Sequence, residues 1–140
     1  MRRSFILVLF FTLAAPSFCP AQIDTLQMEK EEVMYQLKIY KDVTEYLDEM
    51  FRQFSAGHIL PHEGLRKTNL LKHEYNKLVR PVPEKAQKLN DLVNQLLSRV
   101  ENYFIYYERF FRESPEINLK IARSKFELAR EADRLMMMYV

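Results

Sequence analysis

The placement of glycine and proline constrains this chain more than any other feature. Beyond residue 21 there are two glycines, Gly57 and Gly64, and four prolines, Pro61, Pro81, Pro83 and Pro115. All six fall at three places. The four stretches they separate hold neither residue and show apolar spacing of three and four, the period of a helix with one buried face. Strand-like alternation is absent. The pattern predicts an all-α fold with helices over about 25–56, 65–80, 83–112 and 115–139.

Each stretch carries boundary chemistry. Asp24 is placed to cap the first, with Glu29, Glu31 and Glu32 in its early turns, where the helix dipole favours acids. Gly57 suits the left-handed residue that ends it. A residue before proline is pushed out of helical geometry, so Arg80-Pro81-Val82-Pro83 ends the second. Ser114-Pro115-Glu116 reads as cap, first helical residue and favourable acid for the fourth. Short connections make neighbours antiparallel, which gives an up-down-up-down antiparallel four-helix bundle with a short second helix.

The third stretch organises the rest. Leu89, Val93, Leu96, Val100, Tyr103, Tyr107 and Phe110 make one continuous row, and Leu97, Phe104 and Phe111 a second row beside it. Two adjacent rows mean a helix that touches more than one neighbour. The expected inward rows elsewhere are Val33, Leu37, Tyr40, Leu47, Phe51 and Phe54 in the first helix; Leu70, Leu71, Tyr75, Leu78 and Val79 in the second; and Ile117, Ile121, Ala122, Phe126, Ala129, Ala132, Met136 and Tyr139 in the fourth.

Residues 1–21 read as a cleaved signal peptide. Arg2 and Arg3 precede an apolar run, Phe5 to Leu13, that is too short for a stable membrane anchor, and Cys19-Pro20-Ala21 leads to the expected cut. The domain is then 22–140, in the periplasm or secreted. The only cysteine leaves with the signal, so no disulfide or thiolate chemistry remains. The two signal arginines leave as well, and 19 basic residues then balance 19 acidic ones. Zero net charge and export argue against nucleic acid as a partner. Residues 24–56 are acidic, with eight acids and four bases. Residues 66–88 are basic, with seven bases and two acids. Two such helices match each other within one molecule.

Catalytic patterns are missing. No serine sits in a nucleophile elbow, two glycines cannot build a phosphate loop, and HExxH and Glu-x-x-His do not occur. The histidines are His58, His62 and His73. A metal site from these three, or a haem held by His73 with Met50 or Met34, is the alternative to a protein without cofactor or metal. A small envelope enzyme with no identifiable site is the second alternative.

The aromatic block at the end of the third helix has two readings. It fills the core at a wide bundle end, or it forms an interface for a protein or apolar ligand. The residues concerned are Tyr103, Phe104, Tyr106, Tyr107, Phe110 and Phe111, with Phe51 and Phe54 facing them from the first helix. Five consecutive large apolar residues, Tyr103 to Tyr107, cannot all be buried in one bundle, and Tyr106 with Ile105 is expected outside. The expected function is a non-catalytic binding module whose partner is another protein or a second copy of the chain.

Overall fold

A computed structural model describes residues 21–79 and 81–139. The signal-peptide reading falls on residues 1–21 and so lies almost wholly outside the described residues. The described structure is helical: α1 (Ala21–Ser55), α2 (Pro61–Leu78), a single 3₁₀ turn (Glu84–Ala86), α3 (Gln87–Phe110) and α4 (Pro115–Tyr139). No helix among the described residues is long and apolar enough to cross a membrane.

The chain divides into two compact units, Met1–Glu31 and Glu32–Val140. In the first, residues 21–31 are helical, Leu26 is 60% exposed and the Gln27 amide donates to Glu31. The hydrophobic core belongs to the second unit.

Helix α1 already runs from Ala21, so Asp24 lies within it and is not its cap, whereas several other helix ends follow local chemistry. Gly57 takes φ +78°, and His58 N–H donates to the Gln53 carbonyl, closing α1 with a left-handed residue. Ser114 caps α4 as its sequence suggests: its Oγ accepts from Ile117 N–H at 3.3 Å. Helix α2 starts at Pro61, four residues before the expected position, because proline needs no N–H partner in a first turn. Gly64 is therefore a helical residue and not a breaker. It is buried against Phe104, and a Cβ at this position would stand 2.4 Å from Phe104 Cε1. Here glycine is required by a close approach between helices.

Helix α3 packs against α2 on one side and α4 on the other, the closest backbone approaches between helices of the second unit. Its row is buried as expected from Leu89 through Val93, Leu96, Val100 and Tyr103, with Leu97 and Phe104 beside it. Polar ties cross the same contacts. Tyr75 OH donates to Asn90 Oδ1 at 2.8 Å, Lys72 to Ser98 Oγ at 3.2 Å, and Arg99 to the Lys120 carbonyl at 2.8 Å and to Ser124 Oγ. Helix α1 meets the others through side chains. The buried Gln36 amide donates to the Val79 carbonyl, the buried Thr68 hydroxyl lies 3.7 Å from Met50 Sδ, and Lys125 pairs with Asp48 at 2.8 Å.

Two expected rows are corrected. In α2 the buried positions are Gly64, Thr68 and Tyr75, with Val79 at the cap, while Leu70 is 52% exposed. In α4 the core takes Ile121, Ser124, Leu128, Glu131, Ala132 and Leu135. Ala122, Ala129, Phe126 and Met136 face outward, Phe126 at 62% exposure. The helix has two apolar rows. Leu119 and Phe126 continue seven residues on to Asp133, whereas Ile121 and Leu128 continue to Leu135. The buried face holds the second row and also takes in Glu131, whose Oε1 accepts from Arg134 while its buried Oε2 has no hydrogen-bond partner among the described residues.

Burial also ties stability to pH. Tyr75 is almost fully enclosed, and desolvation first, then the nearby Asp91 charge, push its phenol well above the ordinary value near 10. The fold thus favours the neutral phenol. Its contribution is complete below pH ~10 and is lost as pH rises further, because ionisation is then open only to the unfolded chain. Urea unfolding of wild type is expected to lose up to about 1.4 kcal/mol per pH unit from this group above pH ~10. Tyr75→Phe should lose this component while costing about 1 kcal/mol for the Asn90 hydrogen bond. An unchanged alkaline slope in Tyr75→Phe contradicts the assignment.

Candidate functional site

The aromatic residues divide into an inner and an outer set. The inner set is a ring cluster between α1 and α3. Phe104 is fully buried and Tyr103 nearly so. Phe51 stacks on Phe104 at 5.5 Å between centroids, with 15° between planes, and meets Tyr103 edge-on at 5.0 Å. Phe54 stands edge-on to Phe104 at 5.3 Å and to Tyr107 at 4.9 Å. Edge-to-face and offset contacts at these distances are the favourable ones for rings whose faces are negative and edges positive. Phe51, Phe54, Tyr103, Phe104 and Tyr107 are thus mutual partners, and their position is that of a core.

Tyr103 also carries a polar function. Its hydroxyl donates to Glu113 Oε1 at 2.7 Å, and the Asn118 amide holds the other oxygen at 3.0 Å. Burial, and then the Glu113 hydrogen bond, hold this phenol well above its ordinary range. The chain from Tyr103 through Glu113 to Asn118 fixes the turn between α3 and α4.

The outer set lies on the far side of α3 and past its end. Ile105 is 45% exposed, Phe110 48% and Phe111 81%; Tyr106 is half-buried. Tyr106 and Phe110 are ring neighbours at 4.6 Å, and the Arg109 guanidinium stands 5.6 Å above Phe110. Phe111 was expected to continue the second buried row. It instead leaves the helix with φ 57° and ψ 30°, while its N–H still donates to the Tyr107 carbonyl at 2.7 Å. Left-handed backbone costs a bulky residue about 1–2 kcal/mol. Left-handed backbone just past a helix is a common way to end one and is usually given to glycine; here phenylalanine takes it.

Tyr106 also borders a cleft of about 320 Å³ lined by Arg99, Asn102, Ser114, Glu116, Ile117 and Lys120. Lys120 pairs with Glu116 at 3.4 Å and Arg99 is tied to α4, so the charges of the cleft are engaged with each other. Of the outer set, Tyr106 lines this cleft, and Phe110 is its ring neighbour. The cleft was not visible in the sequence, because it depends on which faces of α3 and α4 meet.

The histidines do not converge. His58, His62 and His73 are all exposed, and His62 and His73, eleven residues apart on α2, are separated by roughly 16 Å. An axial haem pair needs two inward-facing ligands, and of His73, Met34 and Met50 only Met50 faces inward. No cluster of three or more His, Cys, Asp or Glu side chains able to hold a metal ion occurs among the described residues. No protein-family model, curated protein or solved structure matches the chain.

Proposed function

We propose that the protein is an exported, non-catalytic binding module that recognises a partner protein through the outer aromatic set Tyr106, Phe110 and Phe111. The observation that carries this reading is Phe111, a large ring held in left-handed backbone and four-fifths exposed at the end of the central helix. Phe110 and its ring neighbour Tyr106 stand next to it, with Arg109 over Phe110, a composition enriched at protein interfaces. Export rests on the pattern Arg2-Arg3 followed by the apolar run to Leu13. The module is an up-down-up-down antiparallel bundle. Pairings such as Gln36–Val79 with Met50–Thr68, and Lys72–Ser98 with Tyr75–Asn90, run in opposite chain order and support that course.

Affinity capture of the full chain from its native envelope, followed by mass spectrometry, tests the proposal. Phe110→Lys combined with Phe111→Lys is expected to reduce recovery of the specific partner at least about 30-fold, the effect of losing an interface hot spot. Both side chains are exposed, so the circular dichroism spectrum should not change. Equal recovery by wild type and variant rejects this surface as the binding site.

A further inference from the structure

The outward face of α4 is a second surface, separate from the aromatic end. Leu119, Phe126 and Met137 are 59%, 62% and 80% exposed, and Ala122 and Ala129 lie one turn to either side of Phe126. A single large ring between two alanines on a 25-residue helix leaves a knob with shallow space on both sides. The charges on this face are Arg123, Glu127, Arg130 and Asp133. Elsewhere on α4 the ion pairs are internal: Glu116–Lys120, Lys125–Asp48 and Glu131–Arg134. The four outward charges form no ion pair among the described residues, although Arg130 stands 5.8 Å over the Phe126 ring.

We propose that this face pairs with the same face of a second copy of the chain, the two α4 helices running antiparallel about a two-fold axis. Charge balance selects this occupant. Two unpaired cations and two unpaired anions make the face self-complementary, whereas an anionic membrane or a strongly acidic segment would find as much repulsion as attraction. Shape agrees. Setting Phe126 level with Ala129 of the second copy places each ring on the other's alanine and lets the helix axes approach to about 8–10 Å. In that register Leu119 comes level with Met136 of the second copy. Arg123 and the second copy's Asp133 then lie on the same side of the pair, about 1.5 Å apart along the axis. The two-fold axis makes this ion pair twice. One helix pair is at the small end of specific interfaces, so the dimer is a weak one.

Sedimentation velocity and light scattering of the purified full chain from ~1 µM to ~1 mM test the pairing. The mass is expected to rise from monomer towards dimer across this range. Phe126→Asp should weaken the dimer at least about 30-fold. Arg123→Asp and Asp133→Arg should each weaken it several-fold, and the double exchange should restore it. Partner recovery through Phe110 and Phe111 should be unchanged in Phe126→Asp, which separates the two surfaces. A chain that stays monomeric at ~1 mM, a dimer indifferent to Phe126→Asp, or a double exchange that fails to restore association overturns the proposal. So does a monomer that sediments instead with phosphatidylserine vesicles, which would assign the face to a lipid surface.

Discussion

Phe104→Ala is expected to lower the unfolding free energy by about 3–5 kcal/mol, a large fraction of what a domain of this size has. Phe104 is fully buried and its ring has partners on every side: Phe51 stacked on it, Phe54 and Tyr103 edge-on, Gly64 beneath. Deleting the ring loses both its transfer free energy and the aromatic contacts, and the flanking rings are too constrained by one another to collapse into the space. Urea unfolding followed by circular dichroism gives the value directly. A loss below about 1 kcal/mol would mean that the inner cluster is not the core of the bundle.

Gly64→Ala provides the second large effect, and its sign distinguishes two ideas about the residue. Were Gly64 an ordinary helix-interior glycine, alanine would stabilise the protein by about 1 kcal/mol through helix propensity. The structure predicts the opposite. The added methyl would sit 2.4 Å from Phe104 Cε1 and 2.6 Å from Cζ. That ring is locked by Phe51 and Phe54, so the strain cannot be relieved by a flexible side-chain end. Overpacking of this kind costs about 1–3 kcal/mol, occasionally more. The expected result is a net loss of up to about 2 kcal/mol, with a larger loss for Gly64→Val. The double variant decides the cause. With Phe104 already alanine, the added methyl should become neutral or favourable, a coupling that only direct contact explains. An unconditional gain from Gly64→Ala would show that α2 and α3 do not approach as closely as described.

The same residue shows where sequence reading stops. A glycine three positions after a proline reads as punctuation, and that placed the start of α2 late. Its actual role is tertiary, set by a ring forty residues away. The course of α3 was legible because its apolar spacing is unbroken for five successive buried positions and no competing row exists. Helix α4 offered two rows of equal period. The rows end differently, in Asp133 and in Leu135, but the buried face also takes in Glu131, so composition alone does not choose between them. The candidate interface was legible as a composition but not as a partition. Tyr103, Phe104 and Tyr107 turn inward with Phe51 and Phe54, while Phe110 and Phe111 turn out. The separation depends on where α3 ends, and phenylalanine in left-handed backbone gives no warning of that end.

The order of contact along α3 has a kinetic consequence. At backbone range this helix meets α2 and α4, its immediate neighbours in the chain, across the connections 79–86 and 111–114. Closing such short loops costs little entropy, so these three segments can zip together quickly, as is usual for topologies of low contact order. Helix α1 joins through interleaved rings and side-chain tips. Its docking is therefore the step at which the rings must find their stacking geometry. A nascent chain would present the faces of Phe51, Phe54 and Phe104 to water until that step is complete.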